Sequence, residues 1–160
     1  MTKRNSRVLA LVILSTLFVT TAIFAADQSV TGTFKGNGKD AKLLYAVALP
    51  GEPFSGEETV MVVLTEKDPG DDKRPDFDAM FGKLGSALRL TFQRSGVLIG
   101  CEVAHTAHEQ KPFSSIGNMK VSEFSIEGNK IKAKVSTGGQ VETFDQTWEV
   151  DLSFNTEIKQ

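Results

Sequence analysis

Between Phe144 and Phe154 the chain reads F-D-Q-T-W-E-V-D-L-S-F. Phe144, Trp148, Val150, Leu152 and Phe154 share one parity, and Asp145, Thr147, Glu149, Asp151 and Ser153 share the other. Successive side chains of a strand point to opposite faces, so this pattern describes a strand with one buried and one wet face. It also carries the only Trp of the chain. A chain with such a seam must bring a second apolar layer against it, and the remaining segments are read as suppliers of that layer.

Those segments are mostly short and β-like. Residues 27–35 predict a first strand, and Gly36-Asn37-Gly38 a turn. The run from Lys42 to Leu49 is apolar on both parities, which predicts an interior strand ended by Pro50. Thr59 to Thr65 is the most continuously apolar run after the N-terminal segment, short and β-branched, and predicts a central strand. Ala87–Arg94 and Val97–His105 pair as a hairpin around Ser95-Gly96, and Met119–Ile126 with Lys130–Val135 as a second. A parity change between Val121 and Phe124 predicts a bulge near Glu123. Phe77, Met80, Phe81 and Leu84 form a helical stripe, with Asp76 as N-cap and Gly85 as stop, expected to cover an open end of the β structure. The sum is an all-β fold, an antiparallel β-sandwich of about eight strands with one short helix. A closed barrel is the alternative, and the many inward Leu, Ile, Val, Phe and Trp residues favour a filled core.

The first residues are read apart from the fold. Lys3, Arg4 and Arg7 precede an almost wholly apolar run from Val8 to Val19, and small residues follow at Ala22, Ala25 and Ala26. This predicts a secretory signal peptide over residues 1–25 and one domain over residues 26–160, periplasmic or secreted, with no stable membrane anchor after cleavage. Without residues 1–25 the chain carries 15 basic against 20 acidic residues, a net charge of -5. That balance argues against nucleic acid as a partner. Cys101 is the only cysteine, so no disulfide forms within the chain.

Two groups of residues are candidates for function. Cys101-Glu102-Val103-Ala104-His105-Thr106-Ala107-His108-Glu109 contains both histidines of the chain. Imidazole and carboxylate ligate zinc or copper, so His105, His108 and Glu102 are candidate metal ligands if the strand turns after His105. Cys101 and His105 lie about 13 Å apart along a strand at ~3.3 Å per residue, too far to act as a pair, and Cys101 reads as a small core residue. The second group is apolar. Phe54 beside Pro53, and Phe113 and Ile116 after Pro112, lie in loops where they present contacts to a partner or plug the ends of the sandwich. The acidic loop Asp68–Asp78 lacks regular calcium-ligand spacing and reads as a solvated loop. Gly32-x-Phe34-x-Gly36-x-Gly38 lacks the following helix a phosphate cradle needs.

An early G-x-F followed by G-K, the K-L-L-Y-A-V-A and V-V-L-T-E strands, an acidic Pro-containing loop and the final W-E-V-D-L-S-F strand together resemble a group of bacterial exported all-β proteins for which no activity is assigned. The resemblance implies export and a β fold, and assigns no site residue. The expectation is therefore a non-enzymatic exported binding module that recognises a protein or a cell-envelope glycan through end loops, with no cofactor. The alternatives are a metal-binding protein or metal-dependent enzyme using His105 and His108, and a barrel carrying a small apolar ligand.

Overall fold

The computed structural model describes residues 29–159, so the expected signal peptide lies outside the described residues. Eleven strands form two antiparallel sheets among the described residues. Sheet A contains β1 (Val30–Gly36), β2 (Lys39–Ala41), β8 (Lys120–Glu127), β9 (Lys130–Ser136), β10 (Val141–Thr143) and β11 (Gln146–Glu157). Its order is β2-β1-β11-β9-β8, with β10 also paired to β11. Sheet B contains β3 (Tyr45–Phe54), β4 (Glu57–Thr65), β5 (Ala87–Gln93), β6 (Leu98–Ala104) and β7 (Phe113–Ser114), in that order. The sheets do not close into a barrel, and the space between them is filled by side chains.

β11 is central to sheet A. Its first half pairs with β10, as in Val141 with Trp148, and its second half with β9, from Asp151 with Ser136 to Glu157 with Lys130. β1 covers its other edge from Trp148 to Phe154. Trp148, Val150, Leu152 and Phe154 are buried and alternate with half-buried or exposed residues, as the pattern predicts. They meet Val60, Val62 and Leu64 of β4, Leu88, Leu90 and Phe92 of β5, and Cys101 and Val103 of β6. The Trp148 indole donates to Thr143 Oγ1 at 3.2 Å, so its one polar atom is satisfied in the core.

Phe144 departs from the predicted strand. It occupies, with Asp145, the two-residue turn between β10 and β11, at φ 53° and 58°, and its ring is exposed. The run from Lys42 to Leu49 is also corrected. β3 starts at Tyr45 and is an edge strand rather than an interior one. Pro50 and Pro53 lack the N–H a central strand needs. The end of the chain covers this edge instead: Ala48 bridges Ile158, and Lys159 N–H donates to the Ala48 carbonyl at 2.8 Å.

The continuous apolarity of β4 has a structural reason. Val60, Val62 and Leu64 face the main core, while Val63, with Met61, faces a second cluster on the outer side of sheet B. The helix α1 (Pro75–Met80) and the turn after it make that cluster with Ala79, Met80 and Leu84 against Ala87 and Ala104. α1 thus lies on a sheet face, not over an open end. Arg74 is its N-cap with Pro75 in the first turn, and Asp76 pairs with Arg74 at 3.2 Å. Phe77 and Phe81 stack on each other in solvent, because six helical residues turn only one narrow stripe to the sheet. The bulge expected near Glu123 is present: the β8–β9 register shifts between Ser122 and Ser125, and Glu123 has φ 52°.

Replacing Trp148 with Ala is expected to cost about 3–5 kcal/mol, measured by urea unfolding, because the cavity lies where both sheets meet. A cost below about 1 kcal/mol with an intact fold would remove this seam from the core.

Candidate functional site

Three connections meet at the end of the sandwich where β1 and β6 stop. The first is the Asn37-Gly38 turn between β1 and β2, at φ 48° and 73°. The second is the loop from His105 to Pro112 between β6 and β7, and the third is the Phe144-Asp145 turn. Asparagine and glycine reach left-handed backbone angles cheaply, which explains the first turn. The loop belongs to sheet B and the two turns to sheet A, so their contacts tie the sheets together.

Amide side chains make most of that tie. Asn37 Nδ2 donates to the Ala107 carbonyl at 3.2 Å, and its Oδ1 accepts from Thr147 N–H at 2.9 Å. Gln146 is buried; its Oε1 accepts from the N–H groups of Glu109 and Gln110, at 2.7 and 3.2 Å, and its Nε2 donates to the Gln110 carbonyl at 2.9 Å. A buried amide with both ends bonded holds a loop more specifically than an apolar contact does.

His105 and His108 converge beneath this tie. Their exposures are 1% and 3%, and their ring centroids lie 5.2 Å apart. Phe34 meets the His105 ring edge-on at 5.0 Å, and Phe113 lies 5.3 Å from the His108 ring. Gly36 supplies the floor. A β-carbon there would stand 2.4 Å from His105 Cγ and 2.7 Å from His108 Nε2, so only a bare Cα admits both imidazoles. Hydrogen bonds fix the tautomers. Ala107 N–H donates to His105 Nδ1 at 3.0 Å, which places the proton of the neutral ring on Nε2. His108 Nε2 donates to the Thr147 carbonyl at 3.0 Å, which leaves its Nδ1 as the lone pair. The two remaining atoms, His105 Nε2 and His108 Nδ1, are buried without a hydrogen-bond partner.

Burial sets the acid–base behaviour of the pair. It pushes His105 down to about 4, helped by His108 and Lys111 and opposed by Glu66 and the nearby Lys39 backbone. It also lowers His108, against the pull of the Thr147 carbonyl. Both rings are therefore neutral at pH 7.

Of the three candidate metal ligands, the structure brings the two histidines together and separates Glu102 from them. Glu102 lies on the outer face of sheet B, where its carboxylate pairs with Arg89, its cross-strand partner. Strand alternation puts it on the face opposite Cys101 and Val103, which point into the core. Ligation through His105 Nε2 would move the ring proton to Nδ1, against the Ala107 N–H. Among the described residues no three His, Cys, Asp or Glu side chains are grouped to hold a metal. Cys101 is fully buried, and burial with the Glu102 charge pushes its thiol up to about 12, so it is an inert core residue.

The predicted contact residues separate. Phe54 and Ile116 are exposed, but they sit by β3 and β7, at opposite edges of sheet B. Phe113 is buried between His108, Phe144 and Trp148 and plugs the sandwich end. The aromatic presented to solvent at this end is instead Phe144, 63% exposed, with Phe113 behind it at 6.2 Å. It borders a groove of about 290 Å³ lined by Asn37, Glu109, Gln110, Phe144, Asp145 and Gln146. A larger groove of about 360 Å³ lies at the other end, but its charged residues Arg94 and Glu58 neutralise each other at 2.8 Å. Phe144 was hidden in the sequence because its parity matches Trp148. The signal that it turns is Asp145, a turn residue, with Thr143 and Thr147 flanking the pair.

Comparison with protein-family models, with curated proteins and with solved structures returned no match.

Two experiments test this site. Gly36→Ala should cost about 1–3 kcal/mol or more in thermal or urea unfolding, because the methyl overlaps two rings that cannot retreat. Zinc or copper added to the metal-stripped protein tests the pair as ligands: a rise in Tm abolished by the His105→Ala, His108→Ala pair supports metal binding there, and an unchanged Tm leaves both rings as core residues.

Proposed function

We propose that this chain is an exported, non-enzymatic binding module that recognises a cell-envelope glycan through the groove beside Phe144. The observation that carries this is the state of Phe144. A bulky residue at φ 53° is an outlier, costing roughly 1–2 kcal/mol, and this one also leaves a large apolar ring in water. Glycine or asparagine would make the same turn without that cost, so the ring has a use that stability does not explain.

The groove chemistry suits a sugar. A phenyl face packs against the apolar C–H face of a pyranose. The amides of Asn37 and Gln110 and the carboxylates of Glu109 and Asp145 offer planar donors and acceptors of the kind hydroxyl groups pair with. A few polar groups around one apolar platform give orientation as well as affinity. A binding role is favoured over catalysis because both histidines and the cysteine are buried away from solvent. These are the side chains that most often serve as base or nucleophile near neutral pH. Export rests on the basic and apolar pattern of residues 1–25.

The experiment compares Phe144→Asn with the wild-type chain on purified insoluble envelope glycan. Retention is expected to fall at least about tenfold, the loss of one stacked anchor, while stability holds or rises by up to about 1–2 kcal/mol as the backbone strain is relieved. Equal retention of both forms removes the groove as the site. Capture of a single envelope protein by wild type but not by Phe144→Asn, without glycan retention, would replace the glycan by a protein partner.

A further inference from the structure

The histidine pair has no part in the groove's contacts, yet it lies directly beneath the loop that forms one wall. Nothing about a folded core requires imidazole here. A buried ring with one nitrogen unpartnered is costly, and here there are two such rings in contact. We propose that His105 and His108 form an acid-operated latch, closed while both rings are neutral and released on protonation, so that the wall carrying Glu109 and Gln110 swings away from Asn37 and Gln146.

The latch follows from the geometry of single hydrogen atoms. Protonating His105 adds a hydrogen at Nδ1, where it confronts the Ala107 N–H that now donates to that atom. One bond within the loop is lost and a repulsion takes its place. Protonating His108 adds a hydrogen at Nδ1, which has no acceptor. Neither charge can move off, because Gly36 bars the way below and Phe34 and Phe113 flank the rings. The loop is the movable wall. It meets sheet A through the side chains of Asn37, His108 and Gln146, not through a strand ladder.

Two charges face the pair. Glu66, beyond the end of β4, favours protonation of His105, but it accepts from the Ser86 N–H. Lys111, on the loop itself, disfavours protonation of both rings and donates to the Thr106 carbonyl at 3.1 Å. β2 contributes the main chain of Lys39. β1, β7 and β11 present Phe34, Gly36, Phe113 and the Thr147 carbonyl, none of which titrates.

The closed state holds His105 at about 4, whereas a solvated histidine titrates near 6.5. A group depressed in the closed state favours closure above about pH 6.5 and loses that contribution as pH falls towards 4. From His105 alone the opening equilibrium should rise on the order of 30-fold between pH 7.5 and pH 5. The glycan reading enters only through the consequence, which is weaker retention in acid.

Hydrogen exchange tests the latch without any ligand. The protection factors of the Ala107, Glu109 and Gln110 amides are expected to fall on the order of 30-fold from pH 7.5 to 5 and to depend little on dilute urea, whereas those of Val62 and Leu90 in the core depend steeply on urea. His108→Gln should flatten part of that response. If that variant does not fold, the wild-type imidazole resonances decide: titration of both rings near 6.5 overturns the latch, and titration of His105 below 5 supports it. Unchanged loop protection overturns it, as does loop exchange that depends on urea as steeply as the core does, which would be global unfolding. Retention on envelope glycan should drop in parallel. Glycan that binds equally at both pH values with a rigid loop sinks the latch and leaves the binding reading. Absence of binding at any pH, with the loop opening in acid, does the reverse.

Discussion

The interaction on which this protein depends is the packing of the β11 face against the inner faces of β4, β5 and β6. Trp148, Val150, Leu152 and Phe154 form an apolar row on a strand that is paired along both edges. Because β11 is central, any displacement of this row moves β1, β9 and β10 with it. Register is set by the same row. A one-residue slip would bring Glu149 and Asp151 into the core and put Trp148 in water. The two sheets therefore have one good way to meet.

That packing leaves the ends of the sandwich to be closed by other means. At one end Ile158 and Lys159 complete the free edge of β3. At the other, closure is polar. Asn37, Gln146 and His108 reach from one sheet to the other through hydrogen bonds, with Phe113 as the apolar plug under them. Polar closure is more specific than apolar closure and weaker against changes in charge. It also holds the Phe144-Asp145 turn in place while its backbone stays in a conformation that bulky residues avoid.

Legibility in the sequence divides along the range of the forces involved. The buried face of β11, the β5–β6 and β8–β9 hairpins and the bulge at Glu123 were readable, because period-2 alternation and turn residues act over a few positions. The side on which α1 packs was not, since its stripe says only that one face is apolar and Met61 and Val63 supply the mate from far away. Phe54, Phe113 and Ile116 looked alike as loop apolars, and only the packing separates a plug from two scattered surface residues. Glu102 stands three residues from His105 in the chain, yet strand alternation sends it to the opposite side of the sheet and into an ion pair with Arg89. The groove at Phe144 was masked by parity, which runs on through a two-residue turn as if no turn were there.

What the sequence by itself determined is the β fold, its filled interior and the seam at Trp148, because these follow from where apolar residues fall along a strand. What only the tertiary structure decided is that Gly36, His105 and His108 form one buried cluster, and that Asn37, Glu109 and Phe144 share one groove. Gly36 and Asn37 stand more than 65 positions before His105 and Glu109, and Phe144 lies 35 positions after Glu109; no local periodicity encodes which loops meet at an end. That is set by sheet order and register, through hydrogen bonds between strands and the one fit of the two apolar faces.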